Sequence, residues 1–171
     1  MLIRQARRAD IPALRLLGEA TWQVAYEFAG PDYIAHGPDQ WWTEQALLDC
    51  LRDTTVFVAD QDGQVLGVGN LDVRGTVPVI WKRYVHPSTQ GTGLGSALLA
   101  QLIAAAPLDA TSVRLEYVAG NEPAAAFYRA KGFLEIGTEP GERAGWPGTV
   151  WVERDLARDE PRGRARSASP A

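Results

Sequence analysis

Tyr84-Val85-His86-Pro87-Ser88-Thr89-Gln90-Gly91-Thr92-Gly93-Leu94-Gly95-Ser96 is the stretch on which the fold turns. Upstream, residues 78–85 read as a strand that stops at His86-Pro87. Downstream, Leu94, Ala97, Leu98, Leu102 and Ala105 recur at helical spacing. The glycines therefore stand at a helix N-terminus, where unpaired N–H groups and the positive end of the helix dipole favour an anion. Without a Cβ they also let a ligand come close to the backbone. A Walker loop would need Gly-Lys-Ser/Thr, and no lysine lies between Lys82 and Lys131, which argues against a nucleoside triphosphate. A dinucleotide fingerprint counted from Gly91 meets Ser96 where it needs glycine, after a lengthened junction. That reading stays only as an alternative, beside a glycine-rich turn that holds no ligand.

Working outward, residues 2–4 read as a first strand, and Asp10 is placed to cap a helix running through Ile11, Leu14, Leu16 and Leu17. Residues 25–38 are rich in turn formers, and a second helix is expected over residues 40–52. Strands at residues 55–59 and 65–73 flank Asp60-Gln61-Asp62-Gly63, a hairpin signal. Beyond the glycine-loop helix come a strand at residues 112–118, a helix at 122–131, a strand from Phe133 and a last strand at 149–156. Helices interleaved with strands at both ends of a hairpin run imply a mixed α/β sheet, not a purely parallel one.

The chain has 171 residues, 46% of them hydrophobic, which suits one domain with a substantial core. No apolar run approaches the ~20 residues that span a bilayer. The start, Met1-Leu2-Ile3-Arg4, is interrupted by Arg7, Arg8, Asp10 and Pro12, unlike a signal peptide. No membrane association and a cytoplasmic location are expected. Cys50 has no partner for an internal disulfide and reads as a small core residue rather than a reactive thiol. From Ala157 onward arginines alternate with Pro, Gly, Ala and Ser, so the domain is assigned to residues 1–156 and residues 157–171 to a flexible tail. The net charge is −4, and the tail is basic, so the body is more acidic still. That favours a cationic acceptor over nucleic acid, although ordinary solubility charge explains it equally well.

Gln90, Gly93 and Gly95 match a loop of the form Gln/Arg-x-x-Gly-x-Gly/Ala, and Tyr84-Val85-His86-Pro87 is similar to the strand end that precedes such a loop. Further on, Leu115-Glu116-Tyr117, Asn121, Ala124 to Ala126, Phe127-Tyr128 and Gly132-Phe133 follow in the corresponding order. The pattern resembles the GNAT superfamily of N-acetyltransferases, over about residues 1–156 in element order and over residues 84–133 in specific motifs. The resemblance implies a central mixed sheet of six to seven strands flanked by about four helices. It also implies acetyl-CoA as co-substrate, no metal, a protein that is a monomer or a homodimer, and direct attack in a ternary complex. The acceptor would be a primary amine on a small molecule or on a peptide N-terminus. Coenzyme A would be held by Gln90, Gly91, Thr92, Gly93, Leu94, Gly95 and Ser96, by Tyr84 and Val85 on the strand, and by Asn121, Ala124, Phe127 and Tyr128 on the later helix.

Acetyl transfer needs a neutral amine, a donor to the thioester carbonyl and an acid for the departing thiolate. The resemblance gives the carbonyl to the Val85 amide and the acid to Tyr128, whose alternative role is an amphipathic core residue. For the base, the family often places a carboxylate early on the strand before the loop, and residues 78–85 contain none. Glu116, twelve residues before Tyr128, resembles the Glu–Tyr pair of the branch that acetylates the N-terminus of a ribosomal protein. Its other reading is a surface glutamate paired with Arg114 or Lys131. Arg83, where related sequences usually carry an apolar residue, is a second departure.

Trp22, Tyr26, Phe28, Tyr33, Trp41 and Trp42 cluster in the segment that covers the acceptor side in such proteins. Tyr26, Tyr33 and Asp32, with Glu27, are the candidate acceptor contacts, through cation–π or charge, and most of these aromatics also suit a helix–sheet core. His36 and His86 lack partners spaced for a metal. The competing expectation is a GNAT-like acyl-CoA-binding or regulatory domain without turnover, which the missing carboxylate favours and the Glu116–Tyr128 spacing opposes.

Overall fold

The computed structural model describes residues 1–156, so the tail assigned to residues 157–171 lies outside the described residues. In chain order the strands are β1 Leu2–Gln5, β2 Thr55–Gln61, β3 Gln64–Asp72, β4 Val79–Val85, β5 Ser112–Val118, β6 Leu134–Glu139 and β7 Thr149–Asp155. The helices are α1 Ile11–Ala25, α2 Pro31–Trp41, α3 Glu44–Asp53, α4 Leu94–Ala104 and α5 Glu122–Ala130. The strands form one sheet in the order β1-β2-β3-β4-β5-β7-β6, with every neighbouring pair antiparallel except β4 and β5. The mixed α/β architecture is thus as expected, with seven strands and one α-helix more than anticipated.

The extra helix lies where turns were expected. Pro31 takes the first position of α2, after Gly30 at φ +87°, where a missing N–H has no helical acceptor to lose. The helix expected over residues 40–52 is broken at Trp42 and Thr43. Thr43 is extended and its Oγ1 accepts from Ala46 N–H at 3.1 Å, capping α3. The break drops Trp42 into the core at 2% exposure, against Gly18 of α1, where any Cβ would overlap its indole. Asp10 precedes α1 without capping it. Its carboxylate takes the Arg4 guanidinium at 2.8 Å and the Arg7 N–H at 2.7 Å. The hairpin joins β2 to β3 through Asp62 and Gly63, both at positive φ.

Both faces of the sheet are covered. On β2, Val56 and Val58 pack under α1 and α3, whereas Phe57 and Ala59 join the cluster under α4 and α5. Gly67 and Gly69 of β3 let α4 come close, since a Cβ there would meet Leu98 and Leu102 at 2.8 and 2.6 Å. That contact sets the α4 N-terminus at the end of β4. Cys50 is half-buried, with its Sγ 3.5 Å from Thr54 Oγ1.

The feature that opens a site is between β4 and β5. Their parallel pairing covers only Val79↔Arg114 and Ile80↔Leu115. Trp81 is an extra residue against β3, because Ile80 faces Leu71 and Lys82 faces the adjacent Asn70. This bulge bends β4 away just past its last pair with β5. The bulge also breaks simple alternation: Ile80, Arg83 and Val85 share the α4–α5 face, while Tyr84 joins the cluster under α1.

Leu16, grouped by spacing with the core leucines, is 67% exposed, whereas Leu98 is fully buried. Leu98→Ala is expected to lower the unfolding free energy by about 2–5 kcal/mol and Leu16→Ala by less than about 0.5 kcal/mol, measured by urea denaturation.

Candidate active site

A cleft of about 830 Å³ runs along the gap between β4 and β5, from the glycine loop to the C-terminal end of α1. At one end, Gly91 and Gly93 sit at φ +77° and +87°, each with open space where a Cβ would stand. Ala97 is the first residue whose N–H enters the α4 ladder from the loop side, to Gly93 O at 3.0 Å. The amides of Leu94, Gly95 and Ser96 therefore have no carbonyl within the helix. Gln90, Gly91, Gly93, Gly95 and Ser96 line this end. Two neighbours predicted as ligand contacts do not. The Leu94 side chain is buried in the core, and the Thr92 hydroxyl donates to Thr89 O at 2.7 Å.

In the middle, His86 N–H donates to Leu66 O at 2.8 Å, so the next pair, Val85↔Gly67, is of the non-hydrogen-bonded kind. Val85 consequently turns its own N–H toward the gap that β5 has vacated. Across the gap, Asn121 caps α5 through Oδ1, which accepts from Ala124 N–H at 3.1 Å, and the first turn brings Ala124 to the wall. Phe127 and Tyr128 follow on the same face, with Tyr128 buried between Tyr117 and Phe133. Arg83 reaches across from β4. Its Nε donates to Tyr128 Oη at 3.0 Å, and its guanidinium lies 4.1 Å over the Phe127 ring.

At the other end are Glu116, Tyr26, Tyr84 and Glu27. Glu116 is half-buried, and burial first, then the nearby Glu139 and Glu142, push its carboxyl up from the usual range. It makes no ion pair among the described residues, because Arg114 pairs instead with Glu153 at 2.6 Å. The Tyr26 and Tyr84 hydroxyls lie 3.0 Å apart, and burial raises both phenols. Tyr33 stacks on Trp22 with centroids 5.9 Å apart and meets Trp146 edge-on at 5.3 Å. Burial pushes its phenol up to about 12.

Tyr33 thus stands behind the cleft wall, and Asp32 is exposed in the first turn of α2 and does not line the cleft. Sequence reasoning did not anticipate Glu139, the last residue of β6, or Glu142 and Trp146, which belong to the connection between β6 and β7. Their signal was the Gly/Pro-punctuated run between the last two strands. No group of three or more His, Cys, Asp or Glu among the described residues is placed to hold a metal. No helix among them is long and apolar enough to cross a membrane.

A twisted mixed sheet that parts beside a glycine loop defines a class of acyltransferase folds, and comparison with known proteins agrees. Residues 52–135 match the acetyltransferase (GNAT) domain, and that stretch of the chain belongs to the GNAT superfamily. A 101-residue segment is 36% identical to the mycothiol acetyltransferase of Clavibacter michiganensis subsp. michiganensis. That segment covers 57% of this chain but spans only 30% of the relative's length. Among solved structures, the ribosomal-protein-alanine N-acetyltransferase of Brucella melitensis is 28% identical, with a TM-score of 0.68 over 91% of this chain and 100% of that one. The PaiA N-acetyltransferase of Thermoplasma acidophilum, in complex with coenzyme A, is 18% identical and shares the fold at a TM-score of 0.75, over 90% and 98% of the two chains.

Because Glu116 ionises less readily when folded, its carboxylate opposes folding above its ordinary pKa, and the penalty vanishes once it is protonated in both states. Glu116→Gln is therefore expected to raise the melting temperature at pH 7. The gain should disappear as the pH falls below about 4.3, the ordinary glutamate value. A calorimetric series from pH 3.5 to 7.5 checks both limbs.

Proposed function

We propose that the protein is an acetyl-CoA-dependent N-acetyltransferase acting on a primary amine, of a small molecule or a peptide N-terminus, by direct attack in a ternary complex. The observation that carries this reading is the cleft itself: an anion-binding loop at one end, an inward N–H in the middle, and a phenol and an unpaired carboxylate beyond it. Coenzyme A fits the residues present, since the open positions at Gly91 and Gly93 and the free amides of α4 suit a pyrophosphate. Gln90, Gly95 and Ser96 complete that end, and Ala124 and Phe127 wall the pantetheine path.

Val85 N–H donates to the thioester carbonyl and to the oxyanion that develops from it. Glu116, directly or through one water, takes the proton that the incoming ammonium must lose, and its raised affinity for a proton suits that task. Tyr128 gives its hydroxyl proton to the departing thiolate. Glu116, Glu139 and Glu142 make the acceptor end negative, which attracts a cationic amine and orders it for attack. Tyr26 shapes this end of the cleft and Tyr33 supports it from behind. Asp32, on the outer surface of α2, serves at most long-range attraction.

Gly93→Glu fills the anion site with a side chain and a like charge. Wild-type protein at about 100 times the dissociation constant of acetyl-CoA should gain about 2.7 kcal/mol of stability. The folded variant should gain none, and equal calorimetric binding by both would remove the site assignment. Tyr128→Phe should keep acetyl-CoA affinity and lower the turnover number by ~10²–10⁴-fold, as expected for loss of a general acid. Turnover is read as thiol release with putrescine and with a short peptide bearing a free N-terminal alanine. Binding without any thiol release across a wider amine panel would favour an acyl-CoA-binding domain without turnover.

A further inference from the structure

Arg83 is a cation without a counter-ion in the middle of this cleft. It makes no ion pair among the described residues, although it is half-buried. Three contacts fix it. Nε donates to Tyr128 Oη at 3.0 Å, the guanidinium covers Phe127 at 4.1 Å, and Nη1 lies against Gly95, where a Cβ would come within 2.6 Å of it. Gly95 thus makes room for this side chain, whereas Gly91 and Gly93 face open space.

The direction of the Arg83–Tyr128 bond is not a matter of choice. A guanidinium has only donors, so the phenol oxygen must accept, and the phenol's own proton must point elsewhere. The nearby Tyr26 and Tyr84 phenols are bonded to each other at 3.0 Å. The rings of Tyr117, Phe127 and Phe133 enclose the remaining sides. The open direction is the cleft.

We propose that Arg83 is the positioning residue for the proton donor of this enzyme: by donating Nε–H to Tyr128 Oη it turns the phenol proton into the cleft and holds the phenolate left behind. The proposal rests on the acetyl-transfer reading above. The acceptor first loses its ammonium proton to solvent by way of Glu116; the neutral amine nitrogen then bonds to the thioester carbon, Glu116 receives the second proton that this nitrogen loses, and the carbon–sulfur bond breaks with its electron pair on sulfur. Tyr128 Oη–H supplies the proton that makes the free thiol. The phenolate then pairs with Arg83 until solvent carries a proton from Glu116 back to Tyr128.

The test is a double-mutant cycle with Arg83→Leu and Arg83→Lys in wild-type and Tyr128→Phe backgrounds, using acetyl-CoA with the better of the two probe acceptors. Loss of a charge-assisted hydrogen bond predicts a fall in kcat of about 10- to 100-fold for Arg83→Leu, and no further fall when Tyr128 is already Phe. Arg83→Lys should restore part of kcat, and the calorimetric Kd for acetyl-CoA should change by less than about twofold in both. Without any substrate, the Arg83 Nε–H resonance of the ¹⁵N-labelled protein should move on Tyr128→Phe. An equal loss in both backgrounds, a loss confined to acetyl-CoA affinity, or an unmoved Nε–H resonance overturns the role of Arg83 and leaves acetyl transfer standing. Absence of acetyl-CoA-dependent thiol release from the wild-type protein overturns both.

Discussion

The site depends on one backbone irregularity, the extra residue at Trp81. A parallel pair that continued past Ile80 and Leu115 would close the sheet and leave no gap. The bulge ends that pairing, and it is held from the side chain. Trp81 Nε1 donates to Asp72 Oδ2 at 3.1 Å, and its ring meets Trp151 of β7 edge-on at 5.7 Å. Asp72 is in turn held by Arg74 at 2.7 Å, which keeps its carboxyl well below the ordinary range. Trp81 of β4 thus reaches both β3 and β7, the outer neighbours of β4 and β5, and fixes where β4 departs, while β3 and β7 stay paired with β4 and β5 along their outer edges.

The same irregularity decides which side chains meet. With strict alternation Arg83 would fall on the face opposite Ile80, under α1 and away from α5. The extra residue reverses the order, so Arg83 and Val85 face α4 and α5 while Tyr84 turns to Tyr26. A one-residue device therefore produces both the opening and the polarity of its walls, with the Tyr26–Tyr84 phenol pair on one side and the Arg83 guanidinium, bonded to Tyr128, on the other.

This explains how far the chain could be read in advance. The glycine loop, the strand before it and the strand–helix unit after it are legible because each rests on local chemistry: positive-φ glycines, helical spacing and the Asn121 cap. The seven strands form close to where they were expected, although β3 is buried at every residue from Val65 to Asp72 and shows no alternation. The α2 helix was hidden because Pro31 and Gly30 also signal turns, and position decides between the two readings. Arg83 could be noticed as a departure but not placed, because its partner lies 45 residues away and a bulge sets its face. Glu139 ends β6, and Glu142 and Trp146 come from the connection after it, which has no periodicity, so only tertiary packing brings them near Glu116 and Tyr33.

Charge is distributed along the cleft in a way that suits transfer between unlike partners. Helix amides without helical acceptors stand at the loop end, a guanidinium in the middle, and the Glu27 and Glu116 carboxylates at the far end, with Glu139 and Glu142 near Glu116. Under the proposed acetyl transfer, an anionic donor and a cationic acceptor would be drawn to opposite ends of one channel, with the Val85 amide and Tyr128 hydroxyl between them. Each end alone would be an unremarkable surface feature, a glycine turn or an acidic patch. What gives them a common function is that Gly67 and Gly69 let α4 press close to β3, so the loop stands at the end of the same strand whose departure from β5 opens the way to Glu116.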